Sequence, residues 1–459
     1  MLPRATWAVV LLVVLIAMTE HKAIGGPIDY QGALSAAEAF GQEQLNHFSV
    51  TGPRMPLSYQ GMSGLQGDIA YTYDAGLLLK FLLARGRIRE ARDIGDALVI
   101  LQAADPLADG RWRAGYYANA LYAPDGRTAA IGDPDAAVGN ICHAADALVR
   151  LYVATGHDPY LQAAVRAGDW VEAHTRKDDA MGGYAVGELG WSQQFQMYRV
   201  LEHQAAVAVL SQSLFEVTGE ARWAKMHDHA RRLIDRLYNA AQGHYWTGTG
   251  GDDGTAINYW PIPADQVFIT LLDDEPSDRC AQVLSWVVDN LGVAEDVGGV
   301  TYRGSRFSSS GQGLHSEVGA FVVAARLLAG ESPDDLPELA SLEDIRLYAP
   351  NHDPEGVGMV AAVNPSGAST GYGVTYPNAL HLGATVAYGD ALLLVAGDPY
   401  GNPFRSIPEP SAFFVVLAGT PWVFRRCWRS GPTISRHDKQ PRGTRRTPRA
   451  PGQISDSGL

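Results

Sequence analysis

One pattern recurs along this chain: an almost wholly apolar helix, a tight turn containing glycine, and a second helix with charges on one face. The pattern is clearest in three segments, residues 72–102, 139–175 and 201–240. A helix that is apolar nearly all round must be buried, whereas a helix with one charged face lies at the surface. Each segment is therefore expected to form an inner helix followed by an outer one.

Three weaker units extend the pattern to residues 264–291, 315–348 and 378–397, and the last of these is an inner helix without a successor. The helix expected at residues 33–48 has no inner predecessor, so it can serve as the missing outer partner. Helix pairs that stack side by side bury a continuous core. Six such pairs can close into a ring, which predicts a single all-α domain.

The paired helices, the turns "ATGHDPYL" and "VTGEARW", and the aromatic-rich segments between the pairs resemble the six-hairpin glycosidase superfamily. The resemblance covers roughly residues 33–404. It implies an (α/α)6 toroid of six inner and six outer helices, which we expect to occupy residues 26–404. Toroids of this shape also serve as sugar epimerases, polysaccharide lyases and terpene cyclases, so the resemblance alone does not choose an activity.

Both ends of the chain carry sorting features. Residues 1–25 contain an arginine, an apolar run and small residues, which is the layout of a secretory signal peptide, with an uncleaved anchor as the alternative. Residues 405–429 contain "IPEP", an apolar stretch and a basic cluster. This resembles the PEP-CTERM signal that an exosortase processes in Gram-negative bacteria, although an ordinary apolar helix is the alternative.

The remaining residues, 430–459, are rich in proline and arginine and are expected to be disordered. Together the two ends predict an exported protein that is held at the cell envelope or membrane through its C-terminal segment. Release of the protein into the extracellular medium is the alternative.

Composition excludes several other functions. The net charge of −14 disfavours binding to nucleic acid. The sequence has neither a P-loop nor a dinucleotide-binding fingerprint, so no cofactor is expected. Cys142, Cys280 and Cys427 lie far apart and are interpreted as small buried hydrophobic residues. Their spacing predicts no metal site, and a zinc site at Cys142 and His143 is the alternative.

Acidic or imidazole side chains stand at the starts of all six inner helices. In a toroid of this kind those starts line one end of the central cavity, so the side chains are expected to converge there. The alternative for each carboxylate is an anion that only satisfies the helix dipole. The predicted catalytic residues are Glu202, Asp74, Asp265 and Glu317.

Aromatic residues are abundant in the loops that enter these helices. Trp and Tyr rings match the apolar faces and hydroxyl rims of sugars, although any single ring can equally fill the core. The predicted substrate-binding residues are Tyr73, His203, Tyr245, Trp246, Tyr259, Trp260, His315 and His381.

An inverting glycoside hydrolase needs one protonated and one ionised carboxyl group, about 6.5–9.5 Å apart. Packed neighbouring helices lie about 8–10 Å apart, so carboxylates at inner helix starts fit that range. The sequence therefore favours an inverting glycoside hydrolase that acts on a poly- or oligosaccharide, with Glu202 as the foremost candidate. The alternatives are an epimerase or lyase that uses the entrance histidines, and a non-catalytic toroid that binds exopolysaccharide.

Overall fold

The computed structural model describes residues 28–62, 65–273, 277–364 and 379–405. These ranges contain twelve α-helices, which confirms the predicted all-α class. In chain order they are α1 Tyr30–Asn46, α2 Thr72–Ala84, α3 Ile88–Ala104, α4 Val138–Thr155, α5 Asp158–Thr175, α6 Leu201–Thr218, α7 Ala221–Arg236, α8 Pro263–Leu272, α9 Asp278–Leu291, α10 Ser316–Leu328, α11 Pro337–Tyr348 and α12 Leu382–Val395.

Six of these helices form a closed inner ring. The even-numbered helices α2 to α12 each contact the next even-numbered helix, and α12 contacts α2 to complete the circle. The odd-numbered helices lie outside them, and α1 packs against α12 as the sequence predicts. The structure is therefore an (α/α)6 toroid.

The sequence explains which helices lie inside. In α12 the residues from Leu382 to Leu393 are all buried, including Tyr388 and Asp390, because this helix is enclosed by its neighbours. In the outer helix α7 only one stripe is buried, with Trp223, Met226 and Leu233 among its members. Burial on one side is what an amphipathic surface helix requires.

The turns from inner to outer helices are short. Gly156 and Gly219 end α4 and α6 with φ of 68° and 70°, a left-handed conformation that glycine adopts without steric cost. Each outer helix then returns to the end of the ring where the inner helices begin. We call that end, with its long loops, the entrance face, and the opposite end the turn face.

Short antiparallel strand pairs fasten the loops of the entrance face. In chain order the strands are β1 Tyr59–Gln60, β2 Ile69–Tyr71, β3 Gly115–Tyr117, β4 Ile131–Asp133, β5 Ala136–Ala137, β6 Gly187–Leu189, β7 Gln194–Gln196, β8 Tyr238–Asn239, β9 His244–Tyr245, β10 Gly248–Gly250, β11 Ala256–Asn258, β12 Gly292–Val297, β13 Val300–Ser305, β14 Leu314–His315, β15 Ala362–Val363 and β16 Leu380–His381.

Two of these strand pairs contact the helices in ways that the helix pattern alone does not predict. Strand β1 precedes α2 and pairs with β16, which precedes α12, in the register Tyr59 opposite His381. This pairing joins the first and last inner helices at the entrance face. The longest pair, β12 with β13, is a hairpin that the sequence analysis did not predict, and it packs against α11.

A short segment after α12, residues 402–405, closes the turn face, and we call it the C-terminal strap. Phe404 of the strap is buried between inner helices, with its ring centroid 4.6 Å from that of Phe268 and 5.4 Å from that of His143. The Asn402 amide donates to the carbonyl of Leu271, at 2.8 Å. The strap therefore blocks the axis of the ring from below.

Buried charges hold the strap in place. Lys80 Nζ donates to the carbonyl of Pro403, at 3.0 Å, and also pairs with Asp146 at 3.4 Å. Arg150 pairs with Asp146 at 3.1 Å and donates to the same Pro403 carbonyl. Burial lowers the pKa of Lys80 to about 8, although the negative charge of Asp146 opposes that change.

Cys142 and Cys280 are free and buried, as predicted. Several predicted features lie outside the described residues: Cys427, the predicted signal peptide at 1–25, the predicted disordered tail at 430–459 and nearly all of the predicted sorting segment at 405–429. Within the described ranges, no helix combines the length and the apolar character needed to cross a membrane.

Candidate active site

The first turns of the inner helices bring the predicted acidic residues to the entrance face. Asp74 lies in α2, Glu202 in α6, Asp265 in α8 and Glu317 in α10. A carboxylate is favourable at such a position because the free N–H groups and the helix dipole attract an anion. The helix dipole explains why each carboxylate is tolerated at its own helix start. It does not explain the contacts that these side chains make with residues of other inner helices.

His381 lies between two of these carboxylates. Its Nε2 is 3.5 Å from Asp74 Oδ1, and its Nδ1 is 3.9 Å from Glu317 Oε2. Nδ1 also accepts a hydrogen bond from the Ala384 N–H at 3.3 Å, so Nε2 carries the hydrogen that points at Asp74. Burial alone would lower the pKa of His381, but the charges of Asp74 and Glu317 outweigh burial and raise it.

Two further residues shape the surroundings of His381. The Tyr59 ring stacks on the imidazole, with centroids 4.3 Å apart and planes within 4°. Gly383 leaves room for the contact, because a Cβ atom there would lie only 2.7 Å from Asp74 Oδ1. Tyr59 was not among the predicted site residues, because only the pairing of β1 with β16 brings it next to His381.

Tyr73 connects α2 with the carboxylates of α6 and α10. Its hydroxyl interacts with the Glu317 carboxylate, and burial together with the charges of Glu317, Glu202 and Asp74 raises the pKa of the phenol well above its usual range. The phenol therefore stays protonated and can donate to Glu317. Its ring meets His143 edge to face, with centroids 4.9 Å apart.

Glu202 has an unusually high proton affinity for a carboxyl group. Burial and the negative charge of Glu317 raise the pKa of Glu202 to about 7. Burial also raises the pKa of Glu317, but His381 and Tyr73 act against that rise. Both carboxyl groups therefore bind a proton more readily than an ordinary glutamate, but only Glu317 has His381 and Tyr73 as neighbours that oppose this effect.

Asp265 is fully buried and both of its carboxylate oxygens are occupied. Oδ1 accepts the backbone N–H of Glu202 at 3.0 Å, and Oδ2 accepts the Thr247 hydroxyl. Burial and the charge of Glu202 raise the pKa of Asp265 well above its usual range. This carboxyl group thus caps α6 and fixes the backbone that carries Glu202. The hydrogen bond from the Thr247 hydroxyl to Asp265 was not predicted.

The other entrance histidines are poor proton acceptors. Burial lowers the pKa of His203 to about 4, and its Nδ1 has no hydrogen-bond partner among the described residues. Burial and the nearby His381 lower the pKa of His315 to about 3, and His315 Nδ1 instead caps α10 at the Val318 N–H. Both rings therefore remain neutral at physiological pH.

The four predicted aromatic residues of the α7–α8 loop are not equivalent. Tyr245 is buried, and its ring packs at a tilt against Tyr238. It also contacts Arg279 of the outer helix α9, so the ring lies away from the carboxylates. Trp246 is partly buried and packs against the core. Tyr259 and Trp260 are exposed on the entrance face.

A separate cavity of about 390 Å³ lies toward the turn face and is lined in part by Phe404, His227 and Arg231. Arg231 pairs with Asp273 at 2.8 Å, and none of the entrance carboxylates lines this space. Nowhere in the described part of the chain do three or more His, Cys, Asp or Glu side chains form a group that could hold a metal ion.

Comparison with known proteins gives the fold but no sequence relationship. No family model matches this chain. No curated protein matches it either. Among solved structures, a family 76 glycoside hydrolase from a bovine Bacteroides thetaiotaomicron strain is similar with a TM-score of 0.53 and 12% identity, covering 80% of this chain and 78% of the other.

Two further solved structures have the same fold. The α-mannanase of glycoside hydrolase family 76 from Bacteroides thetaiotaomicron has a TM-score of 0.52 and 13% identity, covering 81% of this chain and 96% of that one. A wild-type glycosidase has a TM-score of 0.53 and 13% identity, covering 81% of this chain and 99% of that one. At such low identity the likeness establishes the toroid.

Proposed function

We propose that this protein is a glycoside hydrolase in which Glu202 is the general acid and Glu317 is the second catalytic carboxylate. One observation carries the proposal: Glu202 and Glu317 enter from different inner helices, and the charge of Glu317 favours the protonated form of Glu202. Glycosidic cleavage needs this division, with one carboxyl group protonated and the other ionised.

The neighbours of each residue support its role. A pKa of about 7 keeps a large fraction of Glu202 protonated at neutral pH, so it can donate to the leaving oxygen. Tyr73 and His381 favour the ionised form of Glu317. Asp74 orients His381, and Asp265 positions the backbone of Glu202, so both of these predicted catalytic residues act through their neighbours.

The inverting mechanism is part of the proposal and is supported by the helix order. Helices α6 and α10 are not adjacent in the ring, because α8 lies between them. Their carboxylates therefore approach the cavity from either side of α8, and the proposal places a water molecule between the sugar and Glu317. Proton NMR of the first product tests this, because an inverting enzyme releases the opposite anomer.

The substrate we propose is a neutral glycan. The net charge of −14 and the proposed ionised form of Glu317 disfavour a negatively charged sugar ring in this space. Because a structurally similar protein is an α-mannanase, yeast α-mannan is the first substrate to test. Dextran and barley β-glucan extend the test to other linkages.

The alternatives make different products. A lyase or epimerase needs a base for a carbon-bound proton, and His203 and His315 are weak bases because their pKa values are about 4 and 3. A lyase would form an unsaturated product that absorbs in the ultraviolet. An epimerase would leave the chain length unchanged, and a binding protein would form no product.

The decisive experiment measures new reducing ends from yeast α-mannan, dextran and barley β-glucan with the full-length protein and with Glu202→Gln. We expect the substitution to lower the rate by about 10²–10⁴-fold, because it removes the proton donor and keeps the shape. Glu216→Gln is the matched control, since Glu216 lies on the same helix but is exposed. A Glu202→Gln protein that cleaves at the wild-type rate would overturn the assignment.

The proposal also includes export and retention at the cell envelope, supported by the sequences of residues 1–25 and 405–429. We expect a tagged protein to fractionate with the envelope in a Gram-negative host that has an exosortase. A chain ending at Arg405 should instead be released in soluble form. Recovery of the full-length protein from the cytoplasm would contradict this part of the proposal.

A further inference from the structure

The strongly exposed aromatic side chains are concentrated on the entrance face. In the described ranges the most exposed are Trp191 at 71%, Tyr259 at 66% and Trp260 at 46%. Trp191 lies in the loop that enters α6, and the other two lie in the loop that enters α8. Exposed Trp and Tyr rings lose the benefit of burying a large apolar surface, so their concentration at one end of the ring requires an explanation.

The Tyr259 and Trp260 rings of the α7–α8 loop are held in fixed orientations. The Tyr259 ring meets Trp246 edge to face, with centroids 5.1 Å apart, and Trp246 meets His244 in the same way at 4.4 Å. Trp260 Nε1 donates to Ser309 Oγ at 3.0 Å. These contacts orient each ring while its outer face stays open to solvent, and a fixed ring loses little conformational entropy when a ligand binds.

Trp191 is presented by a turn that is fastened on both sides. The Gly190 N–H donates to Asp135 at 2.5 Å, and Gln193 accepts from Arg111 at 2.9 Å. The turn is therefore anchored to the loop that enters α4, whereas the indole itself points into solvent. Among the described residues, no core contact accounts for a tryptophan at this position.

The loops that carry these aromatic rings contact the start of α6 and the loop that leads to α10. The α8 loop is joined to the start of α6 by an isolated bridge between Val200 and Gly248 and by the hydrogen bond from the Leu201 N–H to the Thr247 carbonyl at 2.9 Å. Ser309, which holds Trp260, belongs to the loop that leads to α10 and Glu317. Trp191 thus lies on the loop that carries Glu202 into the ring, whereas Tyr259 and Trp260 lie on the loop of α8, which contacts the start of α6 on one side and the loop of Glu317 on the other.

We propose that Trp191, Tyr259 and Trp260 form an aromatic platform that binds sugar rings of a neutral polysaccharide outside the central cavity. This inference rests on the proposed glycoside hydrolase function and specifies its substrate: a chain longer than the cavity, which is cleaved at internal linkages. Flat rings separated by polar residues suit sugars, which have apolar faces and hydroxyl rims. A protein partner would instead need a contiguous apolar core in the interface.

Binding is tested in the full-length Glu202→Gln protein by affinity electrophoresis in gels containing yeast α-mannan, dextran or barley β-glucan. We expect at least one polysaccharide to retard this protein. Adding Trp191→Ala or the pair Tyr259→Ala and Trp260→Ala should weaken that binding at least about tenfold, as for central aromatic contacts. Phe215→Ala is the matched control, because Phe215 is 37% exposed near the turn face.

Cleavage provides the second measurement, with the same platform substitutions in the otherwise wild-type chain. We expect kcat/KM on the polysaccharide to fall at least about tenfold more than kcat/KM on a trisaccharide of the same sugar and linkage. The wild-type protein should release oligosaccharides of mixed length from the start of the reaction. Release of monosaccharide alone, or platform variants that bind and cleave the polymer like the wild type, would overturn the platform.

The two proposals fail in different ways. If the wild-type protein cleaves no glycan but adding Trp191→Ala to the Glu202→Gln protein abolishes gel retardation, the hydrolase proposal is wrong and the platform proposal is supported. If Glu202→Gln abolishes cleavage but the platform variants behave like Phe215→Ala, the platform proposal is wrong and the hydrolase proposal is supported. Absence of retardation by all three polysaccharides would also overturn the platform.

Discussion

At the scale of single residues, Glu202 has two kinds of neighbour. Asp265 holds its backbone, whereas burial and the charge of Glu317 determine its proton affinity. The role of this residue is therefore accessible to measurement through substitutions at either neighbour.

The first prediction concerns the pH dependence of catalysis. A general acid must be protonated, so kcat/KM on a cleaved glycan should fall as the pH rises through about 7, the pKa of Glu202. In Glu317→Gln the negative charge that raises this pKa is lost, so ¹³C NMR of the Glu202 carboxyl group should show a lower pKa. An unchanged Glu202 pKa in that variant would show that the two carboxyl groups are not coupled.

The second prediction concerns the effect of the same carboxyl group on stability. Its pKa is about 7 in the folded chain, against an ordinary value of 4.5 for a glutamate side chain, so ionisation destabilises the fold as pH rises between these values. Glu202→Gln removes that cost, and thermal unfolding should show a higher Tm than the wild type at pH 8 by about 1–3 °C. At a pH of about 4, below both pKa values, the two proteins should melt together.

The location of these residues could be predicted, but their partners could not. Glu202 was recognisable because it stands in the first turn of an apolar helix, where an anion needs little compensation. The contact of Asp74 with His381 depends on the closure of the ring, which brings the first and last inner helices together. Lys80 stands out as one cation in an apolar run, but nothing in the local sequence identifies Asp146 as its partner.

At the scale of secondary structure, the start of α6 depends on a carboxylate from the next inner helix. Asp265 accepts both the Glu202 N–H and the Thr247 hydroxyl. A helix start secured by a neighbouring helix couples the geometry of the proposed active site to the packing of the ring.

The third prediction follows from this cap. Asp265→Ala should lower the free energy of unfolding by about 2–3 kcal/mol, because it leaves buried donors without an acceptor. It should also reduce kcat, because the backbone of Glu202 is released. Ser277→Ala is the control: its side chain caps α9 at the Cys280 N–H, so it should cost about 1 kcal/mol and leave kcat unchanged. Chemical denaturation and kinetics measure both effects.

The helices were more predictable than the strands. Each inner helix is marked by a long apolar run and each outer helix by a period of 3.6 residues, whereas most strands here contain only two or three residues. The hairpin of β12 and β13 is an exception that had a usable signal. Its turn contains Gly298 and Gly299 with φ of 64° and 84°, and two consecutive residues with positive φ are the requirement of a type I′ turn.

At the scale of the whole molecule, the ring is completed by contacts between the two ends of the described chain. α1 packs against α12, β1 pairs with β16, and the C-terminal strap enters the turn face. The number of helices was predictable because each pair of inner and outer helices is a local sequence pattern. The strap was not, because residues 402–405 have no periodicity and their role follows from the space left inside the ring.

The fourth prediction tests the strap. A chain that ends at Gly397 lacks Phe404 and leaves the buried Lys80 and Arg150 without the backbone carbonyl of Pro403 to which they now donate. We expect it to be unstable or to melt at least about 5 °C below a matched chain that ends at Arg405, as measured by circular dichroism. Equal Tm values for the two chains would show that the strap contributes nothing to stability.

The pairing of α1 with α12 also determines when the protein can acquire its structure. During synthesis α1 emerges early, but the helix against which it packs is made only after nearly all of the toroid has left the ribosome. Contacts between residues so far apart in sequence form slowly, and partly assembled helices expose apolar surface in the meantime. Ring closure must therefore come late in folding, so the proposed export could thread the chain through a membrane channel before it acquires its final shape.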